Sequence, residues 1–76
     1  MKLPVVSGKE VLKILQKKGF SILRQRGSHV HLVKEVGGKR LHVTVPIHNN
    51  RDLNPFVFRS IAQQAGYTPD EFSRMF

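Results

Sequence analysis

Residues 20–46 read FSILRQRGSHVHLVKEVGGKRLHVTVP, and this stretch decides the fold. Two short turns, Gly27-Ser28 and Gly37-Gly38, divide it into three strand-like segments, which predicts an antiparallel meander of two hairpins. Alternation puts the core of the second and third strands on one sheet face, with Val30, Leu32, Leu41, Val43 and Val45. The opposite, largely polar face carries His29, His31, Val33, Arg40, His42 and Thr44.

Helix signals flank this meander on both sides. Ser7-Gly8-Lys9-Glu10 is a capping box, so we expect a helix to start at Gly8 and to be closed by Gly19. Asn54-Pro55 predicts the start of a second helix, and Thr68-Pro69-Asp70-Glu71 predicts a short C-terminal helical turn. The order helix, three strands, helix predicts a two-layer α+β fold with both helices on one face of the sheet. The other face is then free to bind.

The positive charge is concentrated in the first three quarters of the chain. Thirteen Lys and Arg oppose five Asp and Glu, which gives a net charge of +8. Residues 1–59 hold 12 basic minus 3 acidic side chains, or +9, and residues 60–76 hold 1 minus 2, or −1. Such a field attracts polyanions, so nucleic acid is the leading expected partner. The alternative to a nucleic-acid partner is a basic surface that only keeps the protein soluble. An anionic membrane is less favoured, because the sequence contains no basic amphipathic helix with exposed aromatic side chains.

The amino-acid composition also indicates the cellular compartment in which the protein is expected. The chain contains no Cys, which excludes disulfides and thiolate zinc sites. The first residues hold too short an apolar run for a signal peptide, and no stretch approaches the roughly 18 apolar residues of a membrane span. We therefore expect a single domain over residues 1–76, located in the cytoplasm.

The segment Arg24-Gln25-Arg26-Gly27-Ser28-His29 gathers two guanidinium groups, a tight turn and an imidazole at one hairpin end. Arg binds phosphate through paired hydrogen bonds, and His donates or accepts a proton near neutral pH. The segment is therefore either a phosphate-binding surface with a titratable group or an ordinary basic hairpin with a surface His.

The four histidines, His29, His31, His42 and His48, do not predict a metal site. No thiolate or adjacent carboxylate accompanies them, and their spacing matches no standard zinc pattern. Metal-free RNA cleavage needs a base for the ribose 2′-hydroxyl, an acid for the 5′-oxygen and cations for the charge on phosphorus. His, Arg and Lys can supply these. We expect no metal and no cofactor.

Several motifs occur in order between Pro4 and Phe72. They are Ser7-Gly8-Lys9-Glu10, Lys18-Gly19-Phe20, Arg24 through His29, Val45-Pro46-Ile47-His48, Leu53 through Ile61, Gln64-Ala65-Gly66 and Glu71-Phe72. Together they resemble the HicA (YcfA-like) toxin family. The resemblance implies a double-stranded-RNA-binding-like fold and an mRNA-cleaving toxin that a HicB-type antitoxin holds inactive. It also implies one catalytic His, which falls on His29 in the Gly-Ser-His motif.

Around His29 we expect a set of phosphate contacts and positioning residues. The cationic candidates are Arg24, Arg26, Lys39 and Arg40, with Gly27 allowing close backbone approach and Ser28 orienting the substrate nearby.

Two further histidines are candidates for a supporting role. His48 matches a recurring His after the third strand, where a supporting role and a loop hydrogen bond are both open. Many relatives carry a second His directly after the first, whereas this chain has Val30 and then His31. A second catalytic imidazole is therefore not implied, and His31 stays a candidate for support.

The second helix departs from the family pattern at its start. The family that this chain resembles usually has Pro-Gly-Thr-Leu where this chain has Pro55-Phe56-Val57-Phe58. Phe56 and Val57 either face a partner or extend the core, and we favour the core for so small a chain.

Two other functions fit the same residues. One is a non-catalytic RNA-binding module in which His29 is only a hydrogen-bonding contact. The other is an adaptor whose polar sheet face meets an acidic protein. RNA binding without cleavage would indicate the first, and absence of RNA binding at any salt concentration would indicate the second.

Overall fold

A computed structural model describes residues 3–48 and 51–76 of the chain. Its elements follow in the order α1 Gly8–Lys17, β1 Ser21–Arg26, β2 His29–Val36, β3 Lys39–Pro46, α2 Pro55–Gln64 and α3 Pro69–Ser73. The predicted α+β order, with a short C-terminal helix, is confirmed. No helix within the described residues has the length and hydropathy to cross a membrane.

The three strands form one antiparallel sheet in the order β1-β2-β3. Both connections are the predicted two-residue turns. Gly27, Gly37 and Gly38 have φ angles of 58°, 54° and 81°, which L side chains rarely adopt and which such tight hairpin loops require. The ladder between β2 and β3 runs without interruption from His29 opposite Pro46 to Val36 opposite Lys39.

The ladder between β1 and β2 contains an irregularity that the sequence did not indicate. Ile22 pairs with Leu32 and Arg24 pairs with His31, so Leu23 is an extra residue in β1, a β-bulge. Because side chains alternate between the two faces, one extra residue reverses the faces of every position that follows it. The bulge therefore decides where Arg24 and Arg26 lie.

The helices begin where their capping residues place them. The Ser7 hydroxyl accepts from the Glu10 amide and the Glu10 carboxylate accepts from the Ser7 amide, as predicted for a capping box. The same arrangement joins Thr68 and Glu71 at the start of α3, where hydrogen bonds from the Thr68 amide and hydroxyl lower the pKa of Glu71. Gly19, with φ of 97°, follows the end of α1 as predicted.

The core lies between the sheet and the two longer helices. Its largest fully buried side chains are Phe58, Phe72, Leu15, Leu32, Ile61, Val11, Val30, Val43 and Val45. The rings of Phe58 and Phe72 lie 5.1 Å apart between centroids, which fastens α3 to α2. Both helices pack against β3, and every residue of β1 is exposed, so the helical layer leaves β1 uncovered.

Two predictions about the core need correction. Leu41 is only half-buried because it lies near the start of β3, where the helical layer ends beside Gly66. Phe56 is 78% exposed and adds nothing to the core, because the first turn of α2 points this side chain away from the sheet. Val57 is half-buried and packs against the core.

Candidate nucleic-acid interface

The Gly-Ser-His turn lies at one end of the sheet and is tied to the segment that follows β3. The Ile47 amide donates a hydrogen bond of 2.7 Å to the Ser28 carbonyl. Gly8 is buried against this segment, because a Cβ at Gly8 would overlap the Pro46 carbonyl oxygen. The turn between β1 and β2, the start of α1 and the end of β3 therefore hold one another in place.

His29 is the first residue of β2 and pairs with Arg26 on one side and Pro46 on the other. Its side chain is exposed, and the described part of the chain offers its imidazole no hydrogen-bond partner. The Gln25 side-chain amide donates to the Gly27 carbonyl at 3.0 Å, which stiffens the turn just before it. The imidazole is thus held by a rigid backbone while both ring nitrogens stay accessible to a ligand.

Arg24 and Arg26 lie on the same sheet face as His29. Arg26 is directly opposite His29 and Arg24 is directly opposite His31, and paired residues project from the same face. Without the bulge at Leu23, both arginines would project toward the helical side. We call the uncovered face that carries these residues the open face.

The other two predicted cations lie far from the imidazole. Arg40 is on the open face opposite Glu35, six residues along β2 from His29, or about 20 Å at the usual rise of a strand. Lys39 pairs with Val36, a position that belongs to the helical side of the sheet. The structure therefore brings Arg24 and Arg26 to His29 and does not bring Lys39 or Arg40 there.

The remaining predicted site residues are placed as follows. Gly27 has no atom within 4 Å of a Cβ built on it, so its φ angle and not crowding requires glycine. Ser28 is half-buried and contributes its carbonyl to the Ile47 hydrogen bond. His48 is exposed and directly follows Ile47, so the backbone carries it past the same end of the sheet as His29.

A hydrogen-bonded cluster in the middle of the open face was not predicted. The Nδ1 atom of His31 lies 3.2 Å from the Nε2 atom of His42 and 3.2 Å from the Thr44 hydroxyl. Partial burial lowers the pKa of His31, and the neighbouring Arg24 guanidinium lowers it further. Alternation indicated that these side chains share a face, but only the register shows that they touch.

The cluster is joined to the helical layer through the backbone of β3. The Thr44 amide, at the outer edge of the sheet, donates to the side-chain oxygen of Gln64 in α2 at 3.0 Å, and Gln64 in turn donates to Ser60. This hydrogen bond satisfies an edge-strand amide that could otherwise donate to a strand of another chain. Among the described residues, no group of three or more His, Asp or Glu side chains is arranged to hold a metal ion.

Fold and face together define a class: a small α+β protein whose uncovered sheet face carries imidazole and guanidinium groups. The family model described as the HicA toxin of bacterial toxin-antitoxin systems matches residues 8–67. The chain therefore belongs to the HicA toxin family, whose members act as toxins and have an antitoxin as partner. A search of curated proteins found no match to the chain.

Proposed function

We propose that this toxin is a metal-independent endoribonuclease that cleaves mRNA and uses His29 for proton transfer. One observation carries the proposal: the rigid Gly-Ser-His turn presents an accessible imidazole directly opposite Arg26, with Arg24 on the same face. A proton-transfer group and two phosphate-binding groups at one site are what cleavage through the ribose 2′-hydroxyl requires.

The proposed reaction needs only groups that this end of the sheet offers. His29 accepts the proton of a ribose 2′-hydroxyl, whose oxygen attacks the adjacent phosphorus. The bond from phosphorus to the 5′-oxygen breaks, that oxygen takes up a proton from water, and a 2′,3′-cyclic phosphate is left. His29 then releases its proton to solvent. Arg24 and Arg26 stabilise the negative charge that develops on the phosphate oxygens. DNA lacks the 2′-hydroxyl, so it is not a substrate by this route.

The test is cleavage of a mixed single-stranded RNA in EDTA by the parent protein, by His29→Ala and by Arg59→Ala. Arg59 is exposed on α2, on the helical side of the sheet, so its removal changes the net charge without touching the site. We expect His29→Ala to lose about 10²–10⁴-fold in rate, as for removal of a general acid or base. Arg59→Ala should cleave like the parent.

Other results would each contradict a specific part of the proposal, provided that circular dichroism shows that all three proteins are folded. Equal rates in the parent and His29→Ala would reject the role of His29. RNA binding without cleavage by the parent would favour the non-catalytic RNA-binding module. Cleavage of the matching DNA would contradict the 2′-hydroxyl mechanism.

We further propose that the antitoxin is of the HicB type and covers His29. An acidic partner would neutralise the charge of +8 while closing the site. Phe56 supports this position. The Leu53 amide donates to the Val6 carbonyl at 2.8 Å, close to where Gly8 meets Pro46, so α2 begins at the His29 end of the sheet.

Exposed Phe56 is thus an apolar anchor beside the proposed site, and large aromatic side chains are common among residues that dominate binding energy. Phe56→Ser should weaken the antitoxin complex by about tenfold or more and leave RNA cleavage by the free toxin unchanged. Isothermal titration of toxin into antitoxin measures the first effect and the cleavage assay the second. Unchanged antitoxin affinity would show that the partner docks elsewhere.

A further inference from the structure

The imidazoles of His31 and His42 lie edge to edge and not face to face. Their planes differ by 9° and their centroids are 5.3 Å apart, while Nδ1 of His31 and Nε2 of His42 are 3.2 Å apart. The nitrogens are therefore closer than the centroids by about two ring radii, which requires them to point at each other. This is the geometry of an N–H···N hydrogen bond within nearly one plane.

This geometry fixes the number of protons between the two rings. A hydrogen bond between two imidazole nitrogens holds one proton, so one ring donates and the other accepts. The Thr44 hydroxyl, at 3.2 Å from the same His31 nitrogen, accepts or donates as the tautomer demands. The outer nitrogens, Nε2 of His31 and Nδ1 of His42, have no hydrogen-bond partner among the described residues.

Two arginines and a third imidazole lie beside this pair on the open face. Arg24 and Arg26 face it from β1 and His29 faces it along β2, while the helices lie on the other side of the sheet. The next pair toward the far end combines one charge of each sign, Glu35 and Arg40. Partial burial together with Arg24, His42, His29 and Arg26 lowers the pKa of His31 below its ordinary 6.5, which favours the neutral form of the His31 imidazole.

We propose that the His31–His42 pair is a second phosphate-binding subsite, which takes up one proton when an RNA phosphate binds. The proposal rests on the RNA binding that the proposed function requires, and it is separate from proton transfer by His29. Two imidazoles that share one hydrogen bond and lie beside Arg24 and Arg26 are a poor place for another positive charge. A phosphate beside it offsets the arginines and accepts a hydrogen bond from an outer imidazole nitrogen.

The coupling between RNA binding and protonation of the pair determines whether RNA affinity rises or falls with pH. If RNA binding favours the protonated pair, then protonation favours RNA binding by the same factor. Affinity should rise as the pH falls toward the lowered pKa of His31, by at most tenfold per pH unit for one proton. The stability of the free protein should change in the opposite direction, because the unfolded chain takes up the His31 proton more readily than the folded one.

The experiment measures proton uptake directly, with a single-stranded RNA whose riboses are 2′-O-methylated and therefore resist this cleavage. Calorimetry at one pH near 6.5 in buffers of different ionisation enthalpy gives the number of protons taken up on binding. We expect uptake approaching one proton in the parent, clearly reduced in His31→Gln and in His42→Gln, and retained in His29→Gln. Retention in His29→Gln assigns the proton to the pair.

A second measurement covers the case in which a variant folds poorly. The imidazole C2 proton signals of the parent, followed by NMR against pH, should show the His31 titration shifted to higher pH when inorganic phosphate is added. RNA binding with uptake unchanged in both His31→Gln and His42→Gln, or with no shift of the His31 titration, would overturn the subsite and leave the proposed function intact. A parent that does not bind RNA at all would overturn both.

Discussion

His29 and His31 stand two residues apart on one strand, yet the structure gives them different chemistry. His29 is exposed and has no hydrogen-bond partner within the described chain, whereas His31 is half-buried and bonded to His42 and Thr44. Neighbouring titratable groups in different surroundings commonly divide their roles. These different surroundings support the two proposals, proton transfer by His29 and phosphate binding coupled to proton uptake at His31.

Gly8 shows the same dependence on surroundings at a single residue. Alanine has the higher helix propensity, so sequence alone would favour Gly8→Ala by about 1 kcal/mol. The structure reverses this expectation, because the added Cβ would overlap the backbone carbonyl of Pro46. A backbone atom cannot move aside as the end of a flexible side chain can. We expect Gly8→Ala to destabilise the fold by about 1–3 kcal/mol, as overpacking does, in urea unfolding.

Lys9→Ala is the matched control for that prediction, because Lys9 is the next helical residue and is exposed. Its effect should stay within about 0.5 kcal/mol. If the Gly8→Ala and Lys9→Ala variants were equally stable, α1 would not approach the end of β3 as closely as the structure shows.

Among the elements, β1 decides the character of the site. It is an edge strand that no helix covers, and its one bulge turns Arg24 and Arg26 toward the open face. Charged side chains and a bulge also discourage an edge strand from pairing with another chain. At the other edge, Gln64 of α2 protects the Thr44 amide.

The placement of the cations on these elements predicts a difference between two single-charge substitutions. On a short oligonucleotide that reaches only the His29 end, Arg26→Ala should lower kcat/KM by about 10–100-fold, as expected for loss of a charge-assisted hydrogen bond. Lys39→Ala removes the same charge from the helical side at the far end and should change kcat/KM by less than about twofold. Equal losses would mean that net charge and not position governs cleavage.

At the scale of the whole molecule, the net charge of +8 is concentrated in residues 1–59, and the helical layer leaves one sheet face open. Arg24, Arg26 and Arg40 lie along that face over a length that spans several nucleotides of an extended strand. The molecule is therefore suited to hold a single strand along the sheet, with the proposed cleavage site at one end.

This arrangement predicts the salt dependence of RNA binding. Contacts of the three arginines with phosphates, each contributing roughly −0.7 for a single strand, should add about −2 to the slope of the logarithm of the association constant against that of salt concentration. Arg40→Gln should reduce the magnitude of that slope by about 0.7. Fluorescence anisotropy with the methylated RNA measures both, and absence of RNA binding at any salt concentration would favour the protein-binding adaptor instead.

Local signals predicted the elements because each depends on a few neighbouring residues. Two Gly-containing turns, two capping boxes and one Asn-Pro start determine where the strands and helices begin and end, and the structure confirms them. The pairing of β2 with β3 follows from the length of their turn. Phe56 was wrongly placed because propensity says where a helix starts but not which way its first turn faces.

The sequence by itself thus determined the α+β order, the two hairpins, the positive charge and the family motifs, including Gly-Ser-His at residues 27–29. Only the tertiary structure decided that Arg24 and Arg26 join His29 while Lys39 and Arg40 do not, and that His31 and His42 share a hydrogen bond. The physical reason is register. A strand's side chains alternate, so one bulged residue reverses their faces, and that bulge forms only when two strands pair across the sheet.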